Sequence, residues 1–165
     1  KKVQEKKYKI KDKAMILSSK ELYEYYEEMA KKFNILYIED PFSEDAWDSW
    51  KRINEAFENQ VLIVGDDLLA TNPKRVAKAA AEKACNAILI KPNQIGTVIE
   101  TIQVIKMARD LKWKVVVSHR SGETNDSFIA DFAVGVGADF VKFGAPARGE
   151  RVAKYNRLLS IEKEL

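Results

Sequence analysis

Polar or charged residues follow five short apolar segments of the sequence, one at the end of each segment. The segments lie at 35–39, 61–65, 87–91, 114–118 and 139–142, and in the same order the polar groups are Glu39, Asp66, Lys91, Ser118 with His119, and Lys142. Carboxylates, lysines and histidines are the groups with which proteins bind metal ions and transfer protons. If the fold brings these segment ends together, the chain has the components of a catalytic site.

Glu39 and Asp66 end consecutive segments. Two carboxylates that face one space repel each other unless a cation lies between them. Oxygen ligands suit Mg2+, whereas zinc prefers histidine or cysteine. We therefore predict that Mg2+ binds to Glu39 and Asp66, with Asp40 and Asp67 as outer groups or helix caps. The alternative is that the carboxylates only pair with lysines or cap helices.

Lys91 ends the apolar segment AILIK. Burial and a nearby positive charge, such as that of Lys142, would both favour the neutral form of its amine. A lysine in that state can act as a general base on a weakly acidic proton, while a metal ion holds the resulting enolate. The alternative is that Lys91 extends to solvent at the rim of the sheet.

Arg120 and Ser121 lie beside a glycine, in the stretch SHRSGE. A guanidinium, a hydroxyl and the N–H groups of such a turn together bind phosphate or carboxylate groups. A negatively charged substrate is therefore expected. His119 could transfer a proton, bind the ligand or cap a helix.

The segments between the apolar runs have the 3.6-residue period of helices, for example at Ile95, Val98, Ile102 and Ile105. Strands that alternate with helices and are apolar on both faces form a parallel sheet covered by helices, so the predicted class is α/β. Neither GxGxxG nor GxxxxGK[ST] is present. This favours a (β/α)8 barrel, whose active site lies at the carboxyl ends of the strands, over an open nucleotide-binding sheet.

Two helix boundaries are marked in the sequence. Ser18 and Glu21 have capping-box spacing, which predicts a first helix over 19–32, and Asn72 followed by Pro73 predicts another helix start. A last helix is predicted from about residue 150. The five apolar segments would form about five of the eight strands of a barrel.

The composition is that of a soluble protein, with 46% hydrophobic and 32% charged residues. We found neither a long apolar run nor a secretory leader, so we expect a cytoplasmic protein that does not bind membranes. Seven of the first 13 residues are lysine. We interpret 1–18 as a basic, solvated segment that does not bind nucleic acid, and 19–165 as the barrel domain. The single cysteine, Cys85, is predicted to be a buried thiol without a redox role.

Long motifs in the chain resemble the carboxyl-terminal part of enolase, the lyase that interconverts 2-phosphoglycerate and phosphoenolpyruvate. These motifs are IEDPFSEDAW, VGDDLLATNPKRV, ILIKPNQIGT, SHRSGETNDSFIADFAVG and KFGAPARGERVAKYNRLLSIEKEL. The resemblance implies a partial TIM barrel, a phosphorylated three-carbon acid as substrate and Mg2+ as cofactor.

Residue roles follow from the same resemblance. Glu39 and Asp66 would be two of three protein ligands of Mg2+, and Lys91 the base that removes the C2 proton. Lys142 would help to bind the substrate carboxylate, and Arg120 and Ser121 the phosphate, with His119 beside them.

Three family features have no counterpart in the chain: the third metal ligand, the glutamate general acid and a mobile serine loop. Two hypotheses therefore remain open. The chain carries the carboxyl-terminal catalytic half of an enolase, incomplete alone, or it is a non-catalytic enolase-like binding or assembly module. In either case we expect two exposed edge strands, which are covered by a homo-oligomer, by a complementing amino-terminal half, or by the lysine-rich run at 2–11 added as a strand.

Overall fold

Five parallel strands form the central sheet of the chain, in the order β3-β4-β5-β6-β7. The computed structural model describes residues 6–11, 13–58 and 60–165. The strands are β3 (Tyr37–Glu39), β4 (Leu62–Gly65), β5 (Ala87–Ile90), β6 (Lys114–Ser118) and β7 (Phe140–Lys142). The α/β class and the five predicted strands are confirmed.

Helices follow the strands and cover the sheet. They are α1 (Ser19–Lys32), α2 (Trp47–Ala56), α3 (Pro73–Glu82), α4 (Pro92–Ile95), α5 (Val98–Asp110), α6 (Phe128–Gly135) and α7 (Gly149–Glu164). Both predicted starts are confirmed: Ser18 and Glu21 form a capping box, and Asn72 accepts the N–H groups of Lys74 and Arg75. Within the described residues, no helix has the length and apolar character needed to cross a membrane.

The sheet is curled, as in half of a barrel. In a flat sheet, the edge strands β3 and β7 would be roughly 19 Å apart, because four spacings of about 4.8 Å separate them. Yet Lys142 Nζ, at the end of β7, lies 2.5 Å from Glu39 Oε1, at the end of β3. Side chains cannot bridge the flat distance, so the carboxyl ends of all five strands surround one space.

Alternate residues of the strands belong to two separate cores. Ile88, Ile90, Val115 and Val117 pack into the large core between the sheet and the helices. A small inner cluster lies on the concave face and consists of Val64, Ala87, Leu89 and Val116. Strands buried on both faces explain why the sequence segments are apolar throughout rather than alternating.

A β-hairpin precedes the first helix, in the segment predicted to be basic and solvated. Its described lysines are exposed, as predicted, but the backbone is paired and Leu17 is buried. Its strands β1 (Lys7–Ile10) and β2 (Met15–Ser18) pair antiparallel in a sheet of their own. The ring of Tyr8 packs edge-on against Phe42, with 5.8 Å between ring centres. Period-2 alternation in KYKI places Tyr8 and Ile10 on the core, and this outweighs the high lysine content.

The alternative in which the lysine-rich run adds a strand to the main sheet is wrong for its described part. Lys7–Ile10 pairs with β2 and with neither edge of the five-stranded sheet. The remainder of that run, 2–5, lies outside the described residues. Whether the domain should be divided at residue 18 stays a prediction.

Candidate functional site

Lys91 and Asp66 form an ion pair at the carboxyl ends of β5 and β4. Lys91 Nζ lies 2.7 Å from both carboxylate oxygens of Asp66. The side chains are only 13% and 10% exposed, so Lys91 does not extend to solvent at the rim. Burial raises the pKa of Asp66, and the charge of Glu39 acts in the same direction, against the hydrogen bond from Lys91.

A second lysine–carboxylate pair lies beside the first. Glu39 accepts hydrogen bonds from Lys142 Nζ at 2.5 Å and from the Tyr37 hydroxyl at 2.7 Å. Burial alone would raise the pKa of Glu39, but these two hydrogen bonds outweigh it and the pKa is lowered. Glu39, Asp66, Lys91 and Lys142 are thus brought to one place, as the sequence predicts for a common mouth of the strands.

Asp40 connects the ends of β3 and β4. Its two carboxylate oxygens accept the backbone N–H groups of Asp66 at 2.9 Å and Asp67 at 2.8 Å. Oxygen atoms of Asp40, Asp66 and Asp67 also lie within 4.8 Å of one another, close enough to bind one metal ion. Sequence reasoning had treated Asp40 as an outer group or cap; the structure shows that it anchors the backbone that carries Asp66.

Thr71 positions the backbone of Lys91, and sequence reasoning missed it. The fully buried Thr71 hydroxyl accepts the Lys91 N–H at 3.0 Å and donates to Gln94 Oε1 at 3.0 Å. Its φ is +50°, a left-handed conformation that is unfavourable for a β-branched residue. Strain of this kind persists only where surrounding contacts impose it, often at functional sites. No pattern in the sequence marks this role of Thr71.

The loop at 119–127 carries the predicted anion-binding residues Arg120 and Ser121. It lines an open cleft of about 470 Å³ together with Asn93 of α4. The Arg120 guanidinium donates to Asn93 Oδ1 at 3.0 Å, and the Arg120 N–H donates to Glu123 Oε1 at 2.7 Å. The cleft therefore offers a fixed guanidinium and an exposed hydroxyl to a ligand. Neither Asn93 nor Glu123 was singled out from the sequence.

His119 continues from β6 into this loop. Its backbone N–H donates to the Lys142 carbonyl at 3.1 Å, and its Nδ1 is buried without a hydrogen-bond partner among the described residues. Desolvation lowers the pKa of His119, and the positive charges of Arg151, Lys154 and Lys142 add to this, while Glu123 opposes it. The imidazole is therefore neutral at pH 7.

We expect His119 to titrate below its ordinary pKa of 6.5. The unfolded chain then binds a proton at a higher pH than the folded chain does. The contribution of His119 to stability is complete above pH 6.5 and is lost as the pH falls towards the folded pKa. Because the chain has one histidine, a proton NMR titration of its ring resolves the midpoint directly. The same titration in urea serves as the control, and a folded midpoint at or above the unfolded one would contradict the prediction.

Comparison with known proteins identifies the family. The sequence model of one protein family, the enolase carboxyl-terminal TIM barrel domain, matches residues 2–165. This chain belongs to the enolase family. It is 54% identical to the enolase of Mastigamoeba balamuthi over 151 residues, which are 92% of the chain and 34% of that protein. It is likewise 54% identical over 149 residues to the enolase of Solanum lycopersicum, covering 90% of the chain and 34% of the relative. With enolase 1 of Methanospirillum hungatei the identity is 51% over 158 residues, 96% of the chain and 37% of the relative.

The match confirms the resemblance seen in the sequence and the partial enolase barrel. It also shows that the chain spans about a third of the length of the curated enolases it matches. The described strands correspond to part of the enolase barrel.

Proposed function

We propose that this chain carries the carboxyl-terminal catalytic part of an enolase, which dehydrates 2-phosphoglycerate to phosphoenolpyruvate in glycolysis. The observation that supports this best is the convergence of Glu39, Asp66, Lys91 and Lys142 at the carboxyl ends of the strands, in two close ion pairs. These are the residue types that removal of a carbon-bound proton requires. The comparisons do not favour the alternative of a non-catalytic module.

In this proposal each group has one task. Lys91 accepts the C2 proton of the substrate, and its position is set by Thr71 and by Asp66. Lys142, 44% exposed, faces the substrate carboxylate. Arg120 and Ser121 bind the phosphate from the cleft, and His119, neutral at pH 7, lies beside them. The general acid and any further metal ligand come from outside the chain.

The carboxylates fit a divalent metal ion. The donors that lie together are all oxygens, from Asp40, Asp66 and Asp67, and Glu39 is adjacent to them. Such hard ligands suit Mg2+ rather than zinc. As the resemblance to enolase implies, Glu39 and Asp66 would hold the ion, with Asp40 and Asp67 as outer groups. When bound, the ion would stabilise the negative charge that develops on the substrate carboxylate.

We expect the chain to bind Mg2+ weakly and the Asp66→Ala variant to lose this binding. Loss of a ligand should weaken affinity at least as much as the roughly 10- to 100-fold that loss of an outer partner costs. Isothermal titration calorimetry measures the affinity. Asp110→Ala is the matched control, because Asp110 is an exposed carboxylate of α5 paired with Lys106.

The two negative outcomes have different meanings. Unchanged binding by Asp66→Ala would remove Asp66 from the metal site. Absence of Mg2+ binding by the unaltered chain would contradict the proposed metal site as a whole.

The remaining parts of the proposal concern cellular context. The proposal includes a cytoplasmic location, because the proposed substrate is a phosphorylated, water-soluble acid. Its partners would be a second copy of the chain or the complementary amino-terminal part of an enolase.

A further inference from the structure

Lys154 of α7 is a charged residue buried in the protein, with no exposed surface. Its ammonium lies 3.0 Å from the carbonyl oxygens of Thr124 and Asp126 and 2.8 Å from that of Glu150. Glu123 Oε2 lies 2.9 Å away and balances the charge. A buried ammonium is tolerated only with partners of this kind, because its desolvation is costly.

Three of these four contacts connect α7 to one loop. Thr124, Asp126 and Glu123 all belong to the loop at 119–127, whereas Glu150 lies one turn earlier on α7 itself. The loop has no regular secondary structure, so its conformation depends on contacts of this type. Two backbone carbonyl groups and one carboxylate of the loop converge on the Lys154 ammonium.

The contacts continue from Lys154 to the cleft. Glu123 binds Lys154 with one carboxylate oxygen and accepts the Arg120 N–H with the other, at 2.7 Å. Burial alone would raise the pKa of Glu123, but the hydrogen bonds from Arg120 and Lys154 outweigh it, so the pKa is lowered and the carboxylate stays ionised. Arg120 is held a second time, through its guanidinium, by Asn93. Lys154 does not line the cleft, so it can influence a ligand only through these residues.

We infer that Lys154 is a positioning residue, which holds the 119–127 loop in the conformation that presents Arg120 and Ser121 to the anionic group of a ligand. The identity of that anion as a substrate phosphate rests on the proposed function. The dependence of the loop conformation on Lys154 does not.

The test combines hydrogen exchange with a titration of inorganic phosphate. In Lys154→Met we expect faster exchange of the loop amides, including the Arg120 N–H, and roughly 10-fold weaker phosphate binding, similar to the loss of other outer partners of a binding group. Lys106→Met removes the same charge from an exposed position of α5, 74% exposed, and should change neither measurement. Mg2+ binding should be the same in both variants.

A second pair of variants tests the same contacts from the loop side, at Glu123, whose side chain is 20% exposed. Glu123→Ala should accelerate exchange of the Arg120 N–H and weaken phosphate binding. Glu123→Gln keeps an oxygen that can accept this N–H. It should therefore retain most of the protection of the Arg120 N–H from exchange and most of the phosphate affinity. This difference separates positioning from a general loss of stability, which would accelerate exchange throughout the sheet.

The outcomes are distinguishable. Unchanged loop exchange in Lys154→Met and Glu123→Ala would overturn the inference, as would unchanged phosphate binding by both variants. If the unaltered chain bound no phosphate, the anion site of the proposed function would be contradicted, and loop exchange would still decide the role of Lys154.

Discussion

Replacement of Lys91 by alanine is expected to lower the rate of 2-phosphoglycerate dehydration about 100- to 10,000-fold, the usual range for loss of a general base. The assay requires the part of an enolase that this chain does not span, supplied as a second polypeptide. Lys91 Nζ lies 2.7 Å from Asp66, so the amine and the proposed metal ligand occupy one small space. Removing the amine takes away the proposed base and leaves the Asp66 carboxylate without its ammonium partner. Formation of phosphoenolpyruvate, followed by its ultraviolet absorbance, measures the rate.

The kinetic pattern identifies the role of Lys91. A base acts on the bond-breaking step, so kcat should fall while KM changes little. Lys106→Ala, in which an exposed lysine of α5 is lost, is the control and should retain full activity. Retained activity of Lys91→Ala would assign the proton transfer elsewhere, with Lys142 as the next candidate.

We expect the isolated chain to self-associate. The edge strands β3 and β7 each pair with one neighbour, β4 and β6, and have no partner strand on their outer edges within the described residues. Apolar side chains at both edges are exposed: Leu36, before β3, by 61%, and Phe140 of β7 by 38%. Parallel edges of this kind pair with another chain. We expect a particle of about twice the monomer mass, because two-fold dimers are the commonest assemblies.

Light scattering at high micromolar concentration measures this mass. Phe140→Lys places a charge on the exposed edge and should yield a monomer. Ile99→Lys is the matched control, because Ile99 is 69% exposed on α5, away from both edges, and this variant should still associate. A stable monomer of the unaltered chain would contradict the prediction.

Much of the fold follows from local patterns that the sequence carries by itself. The first helix was predicted at 19–32 because Ser18 and Glu21 form a capping box at its start. In the structure the helix runs from Ser19 to Lys32, as predicted. Capping depends on neighbouring residues only, so it is visible without tertiary contacts. The five apolar segments and the burial of Cys85 were likewise predicted from local sequence. Cys85 is 2% exposed, and burial raises the pKa of its thiol.

The amino-terminal hairpin was missed because two local signals conflict there. Seven lysines in the first 13 residues indicated a solvated segment. The alternation of Tyr8 and Ile10 was short, and its stability depends on Phe42, which lies more than 30 residues away. Only the packed structure shows that this contact exists.

For the candidate site, the sequence indicated most of the residues, and the structure decided how they contact one another. The sequence alone indicated Glu39, Asp66, Lys91 and Lys142, because each directly follows or ends an apolar segment and parallel strands end on one side. The structure alone decided which pairs form, since curling of the sheet brings Lys142 to Glu39 across 103 residues of chain. It also revealed Asp40, Thr71 and Lys154, whose tasks are hydrogen bonds to distant backbone groups. Such bonds depend on three-dimensional proximity rather than on spacing along the chain, so no sequence pattern records them.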